Sequence, residues 1–233
     1  AESTEPTKVN FIWTAGHVVD GLRKIRTVIS PSGGERKIVE FGPVFVVKEL
    51  VENGRKVGEI EMESRVIKYS DSETGQDLAL LRVYKTNFVA DSAKFYLADG
   101  VVDIGTPVFH VGSLHGQTGS NSMTSGIVSQ VGRVLIFGAN SVIFDQTTAT
   151  AFPGSSGGGV YLAEGAQAGA YVGMLVRGAG ETFNLIVPVR RMKQWAGEND
   201  LLWALDDTVP APTLADINKM PLEDVQIRES DAE

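Results

Sequence analysis

Between Lys8 and Val187 the chain breaks into a dozen or so short runs of β-branched, aromatic and aliphatic residues, spaced by Gly, Ser, Asn and Pro. That rhythm predicts a sandwich or barrels rather than βαβ units. Two of the longest runs, Lys37 to Val47 and Lys56 to Tyr69, are joined through Glu52-Asn53-Gly54-Arg55. Asn-Gly in that position is the strongest short-range hairpin signal. The run Leu78 to Val83 is almost continuously apolar and is headed by Asp77, which predicts a strand buried on both faces. Past Pro188 the period changes. Val189, Met192, Trp195 and Ala196 fall at helical spacing, and Leu201, Leu202 and Leu205 continue an apolar face beyond a break expected at Gly197. From Asp206 onward Pro210, Pro212, Pro221 and scattered acids predict a flexible or loosely docked tail.

Composition narrows what such a chain can do. With 233 residues there is room for one large all-β domain or two small ones. There is no cysteine, so disulfides and thiolate chemistry are excluded. The net charge of −8 resides in residues 196–233, and the remainder is neutral, with 19 acidic and 19 basic groups. A nucleic-acid partner would require a basic excess, and none is present. No apolar run approaches the ~18 residues of a membrane span, and Ala1 to Lys8 is polar rather than signal-like. A start without Met is expected of a processed form or an excised piece.

The chemistry concentrates in Phe152-Pro153-Gly154-Ser155-Ser156-Gly157-Gly158-Gly159-Val160. A serine hydroxyl becomes a nucleophile only beside a base and beside N–H donors that meet the developing oxyanion. In a hole built from the nucleophile's amide and the amide two residues earlier, Ser156 would use its own N–H and that of Gly154. Ser155 would need Pro153, which has no N–H. Ser156 is therefore the candidate nucleophile.

Of the three histidines, His17 ends a strand-like run where a side chain can face a cleft. His110, inside Val108-Phe109-His110-Val111, reads as a core or strand-facing histidine, and His115 lies in a loop that could reach substrate. Their spacing offers no metal site. Asp77 is the acid best placed to orient a base, because a carboxylate opening a doubly buried strand needs donors.

Thr14-Ala15-Gly16-His17-Val18-Val19, Asp77-Leu78-Ala79-Leu80-Leu81 and Gly154-Ser155-Ser156-Gly157-Gly158 resemble the three catalytic motifs of trypsin-like (chymotrypsin-fold) serine proteases. Thr124 to Ser129, Phe144 to Thr147 and Leu185 to Pro188 resemble the HtrA/Deg-like branch, here without a PDZ domain, for which the 38 residues after Trp195 are too few. The resemblance implies an all-β fold of two six-stranded antiparallel Greek-key barrels with a C-terminal helix. The expected divisions are residues 1–95 and 96–188 for the barrels, 189–205 for the helix and 206–233 for the acidic tail.

It also implies roles. His17 is general base then acid, Asp77 orients it, Ser156 attacks the carbonyl, and the Gly154 and Ser156 amides bind the oxyanion. Leu175, Val176 and Arg177 would line the substrate strand, with Thr150 at the base of the specificity pocket and Arg177 and Asn184 on its walls. The expected partner is a protein or peptide substrate, with no cofactor, no metal, no nucleic acid and no membrane.

Three departures stand out. Ser155 replaces the Asp that precedes the nucleophile in trypsins, only 16 residues precede His17, and Leu175 stands where many relatives place a Ser bonded to the triad acid. The competing expectation is a silent or latent protease-fold binding module.

Overall fold

The computed structural model describes residues 8–223, apart from Ser30, Ser32, Gln117, Thr118, Gly138, Ala139, Ala179 and Glu181. The opening residues and the acidic run beyond Glu223, both read above from sequence, lie outside the described residues, as does Ser32 in the Pro31-Ser32-Gly33-Gly34 stretch, whose composition predicts a turn. The first half carries β1 (Phe11–Thr14), a one-turn helix α1 (Gly16–Val19) running into a 3-10 turn (Asp20–Leu22), β2 (Arg23–Ile29), β3 (Glu35–Phe41), β4 (Val44–Glu52), β5 (Arg55–Ser70) and β6 (Leu78–Val83). The second half carries β7 (Pro107–Leu114), β8 (Gly119–Phe137), β9 (Asn140–Thr147), β10 (Gly159–Leu162), β11 (Tyr171–Gly178) and β12 (Asn184–Pro188), followed by α2 (Val189–Glu198) and a short α3 (Leu214–Ile217).

The six strands of the second half close into an antiparallel barrel in the order β10-β11-β12-β9-β8-β7. The six of the first half are hydrogen-bonded as a four-stranded sheet, β1-β6-β5-β4, with β2 and β3 as a separate hairpin. This is the double β-barrel fold with a C-terminal helix that the sequence predicts. The four-plus-two pairing of the first half follows from a break the sequence reading ran through. Lys37 to Val47 is one run by composition, but it divides at Gly42-Pro43, where Pro43 has no N–H to continue a ladder and Gly42 N donates to Leu22 O at 2.8 Å. Lys94 to Leu97, whose composition predicts a strand, forms only a single bridge, from Phe95 to Tyr171.

Elsewhere local chemistry and structure agree. Asn53 and Gly54 have φ of 50° and 74°, the paired left-handed residues of a tight hairpin turn, and they bring Glu52 opposite Arg55. In β6 all residues but Arg82 are buried, as its unbroken apolar run requires. The core that matters for function lies between the halves. Leu78 and Leu80 of β6 join Phe144, Met174, Val176, Leu185 and Val187 of the barrel, and Met192 and Trp195 of α2, in one buried cluster. Trp195 meets Trp13 of β1 edge-on at 5.9 Å, and Trp13 Nε1 donates to Ala204 O at 3.0 Å. The helix after the last barrel strand therefore packs on both halves.

Helix α2 runs through Gly197 to Glu198, one residue past the expected break. The segment after it is docked through its described length. Ile217 is buried, Tyr69 N donates to Leu222 O at 2.7 Å, and the Glu223 carboxylate accepts from Arg23 Nε and Nη2. Cations on β2 and β5, Arg23 and Lys68, hold a stretch whose own composition reads as solvated; Lys68 Nζ donates to Pro221 O at 3.1 Å.

Candidate active site

His17 reaches the site because β1 ends at Thr14 and the chain turns at once into α1. Gly16 makes the turn possible: a Cβ there would collide with the Ser70 carbonyl oxygen and stand 3.2 Å from Leu78 N. The turn is thus pressed directly onto the strand that begins at Asp77. His17 main-chain N–H donates to Asp77 Oδ1 at 2.9 Å, and His17 Nδ1 lies 3.0 Å from Oδ1 and 3.1 Å from Oδ2. The Asp77 side chain is 3% exposed and that of His17 34%, so the acid is sealed and the base faces outward.

Asp77 has φ of 56°, a left-handed backbone that costs a residue with a Cβ roughly 1–2 kcal/mol. Its N–H is held by Asp71 O at 3.1 Å. Hydrogen bonding to Asp77 raises the His17 pKa above its ordinary 6.5, outweighing the lowering by burial.

The serine turn sits against this pair. Gly157 has φ of 84°, and a Cβ on it would meet the Thr14 hydroxyl and lie 3.2 Å from Ala15 N. Ser155 is buried, its Oγ accepting Phe152 N at 3.3 Å, whereas Ser156 is half exposed. Within the turn Ser155 N donates to Phe152 O, Gly157 N to Leu175 O and Gly158 N to Ser155 O. The amides of Gly154 and Ser156 have no acceptor among the described residues. These are the two donors the sequence argument selects. No hydrogen bond joins His17 and Ser156 among the described residues.

The remaining predicted residues divide. Past Met174, β11 has no ladder partner on its β10 side. Leu175 is still tied to the serine turn, its N–H donating to Gly158 O at 2.9 Å and its C=O accepting Gly157 N at 2.8 Å. The free edge is therefore the backbone of Val176 and Arg177, while the side chains of Leu175 and Val176 are buried in the core. Thr150 is half-buried, and its carbonyl accepts Thr124 Oγ1 at 2.7 Å. Asn184 is buried, with Nδ2 donating to Ala149 O at 2.9 Å.

Arg177 is engaged elsewhere. Its guanidinium donates to Ser72 O at 2.9 Å and lies 4.6 Å over the Phe137 ring, bracing the loop that leads into Asp77. His115 stacks on Phe152 at 4.7 Å, supporting the serine turn. His110 is fully buried with Nδ1 on Gly159 O at 3.1 Å, the core histidine its strand position predicts, and burial lowers its pKa.

Arg191 escaped the sequence reading. It lies buried on α2 with Nε and Nη2 on Gln76, the residue before Asp77. Burial lowers it to about 10, so it remains charged at neutral pH. A cation between apolar helix positions carries no signal in sequence that its partner lies 115 residues earlier.

Two β-barrels with a histidine–aspartate pair from the first and a glycine-flanked serine turn from the second define the architecture of chymotrypsin-like peptidases. The trypsin-like peptidase domain matches residues 5–173, and the chain belongs to that family.

Among solved structures it is similar to the protease domain of MamO from Magnetospirillum magneticum, with 19% identity, a TM-score of 0.51, and 81% of this chain and 84% of that one covered. It is similar also to the HtrA-type protease AlgW, at 23% identity, TM-score 0.52, and 83% and 48% covered. A serine endoprotease from Yersinia pestis follows at 20% identity, TM-score 0.52, and 84% and 55% covered. The chain thus spans about half the length of the last two. No curated protein matches it in sequence. Among the described residues no helix is long and apolar enough to cross a membrane.

Proposed function

We propose that the chain is a serine endopeptidase in which Ser156 attacks the peptide carbonyl, His17 takes its proton and returns it to the leaving amine, and Asp77 holds His17 in the tautomer that leaves Nε2 free. The observation that carries the reading is the bond between His17 Nδ1 and the sealed Asp77 carboxylate beside a half-exposed serine with two uncommitted amides. Those amides, of Gly154 and Ser156, would receive the oxyanion. The free edge of β11 would pair with an extended substrate as an added strand, in keeping with AlgW, whose structures hold a decapeptide and a tripeptide. With the Arg177 guanidinium turned to Ser72 O, a specificity pocket between Thr150 and Asn184 would draw no charge from Arg177, which favours an uncharged side chain on the acyl side of the scissile bond.

The missing His17–Ser156 hydrogen bond favours a second reading, a latent site that closes only with a ligand bound. Catalytic hydrogen bonds are often long before substrate tightens them. A fluorophosphonate probe separates the two readings. Labelling mapped to Ser156, lost in Ser156→Ala and His17→Ala but retained in Ser155→Ala, is the expected result. A folded wild type that takes no label would mean the latent form.

Activity should also follow His17. The base works only when neutral, so kcat is expected to rise with pH through an apparent value above 6.5, and Asp77→Asn should move that limb downward while lowering kcat. A limb at or below 6.5 in the wild type would contradict the observed pair. The same shift acts on stability in the opposite sense. A raised histidine pKa contributes stability that is complete below 6.5 and is lost as pH climbs through the folded-state value.

A further inference from the structure

Asp77 receives hydrogen bonds from His17 alone among the described residues, at the main-chain N–H and at the ring. Leu175, apolar and buried, offers it no side-chain donor. The aim of the carboxylate must therefore come from the backbone that carries it. That backbone is left-handed, and residues in such conformations persist where their surroundings over-determine them.

The peptide unit between Gln76 and Asp77 is gripped at both ends. Its N–H donates to Asp71 O at 3.1 Å, and its C=O accepts Arg191 Nη2 at 2.5 Å. Arg191 Nε also donates to Gln76 Oε1 at 2.6 Å, while Nη1 is anchored on Ile143 O of β9 at 2.9 Å. The guanidinium lies 4.7 Å from the Phe144 ring, which fixes its plane.

A cation brought this far inside carries a desolvation cost that an apolar side chain of similar volume would avoid. What the apolar side chain could not supply is a forked pair of donors for Gln76 and a positive charge near Asp77.

We propose that Arg191 is a positioning residue for the triad acid: from the helix after the last barrel strand it locks the Gln76–Asp77 peptide and so aims the Asp77 carboxylate at His17 Nδ1. This rests on the reading of His17, Asp77 and Ser156 as a triad. It gives α2 a part in catalysis through the Gln76–Asp77 peptide.

The test uses the full chain as wild type, Arg191→Met and Arg191→Lys, each checked for folding by thermal melting. Peptide hydrolysis and an NMR titration of the His17 ring are then followed in parallel. In Arg191→Met kcat is expected to fall about 10²-fold, the scale of a small misplacement at a reacting centre, with KM within about twofold. The His17 titration should move down toward 6.5. Arg191→Lys keeps the charge and a donor but not the fork, and should recover about tenfold of that loss.

A folded Arg191→Met with the wild-type kcat and the wild-type His17 titration would overturn the proposal. Should Arg191→Met fail to fold, Arg191→Lys with both readouts unchanged would do the same. The titration reports the aim of Asp77 whether or not Ser156 turns over. An inert wild type whose His17 value still drops in Arg191→Met would sink the peptidase reading and support the positioning role.

Discussion

Ser156→Ala is expected to lower kcat for peptide hydrolysis by about 10⁶-fold, the loss typical of a serine nucleophile that works as a unit with its base, while leaving the melting temperature within a degree or two. The neighbouring serine provides the control. Ser155 is buried, and its Oγ is an acceptor for Phe152 N inside the turn. Ser155→Ala removes one modest hydrogen bond, worth about 1 kcal/mol, and should keep kcat within about tenfold of wild type. Steady-state kinetics on the two variants side by side decides between them. Equal losses would mean that the turn, and not the Ser156 hydroxyl, is what the substitution damages.

The second large effect lies away from the chemistry. Trp195→Ala is expected to cost about 3–5 kcal/mol of unfolding free energy, a substantial share of the roughly 5–15 kcal/mol that a domain possesses. Trp195 is 2% exposed and packs edge-on against Trp13, in the cluster shared by β6, the barrel strands and α2. Its removal opens a void where the two halves meet. The urea midpoint should fall with little change in slope, and activity should be lost at a lower temperature than in wild type. A loss below about 1 kcal/mol would mean that the halves are held together by something other than this cluster.

The candidate site was legible wherever its chemistry is written in contiguous residues. Thr14 to Val19, Asp77 to Leu81 and Gly154 to Gly158 each announce a local conformation, and the missing N–H of Pro153 alone separates Ser156 from Ser155. The hairpin at Asn53-Gly54 and the buried strand after Asp77 were legible for the same reason, since turn chemistry and apolar runs act over a few residues.

What escaped is long-range. Arg177 was expected to face the specificity pocket, yet its hydrogen bond goes to Ser72 O, 105 positions away. Arg191 was passed over because, next to Arg190 and close to Lys193, it reads as one more solvated cation of α2. The segment after Asp206 was expected to be loosely held because acids and prolines dominate it. The cations that receive it sit on β2 and β5, far back in the sequence, and no window of composition contains both partners.

The return of that segment to the first half sets the order in which the molecule can be completed during synthesis. Glu223 meets Arg23 across 200 positions, and Ala204 meets Trp13 across 191. Closing such long loops is slow, and their entropy is spent before any contact repays it. A ribosome-bound chain that has exposed His17 and Asp77, and even Ser156, still lacks the helix and the strap that finish the first half. The first half is therefore completed only once the chain has been made as far as residue 223.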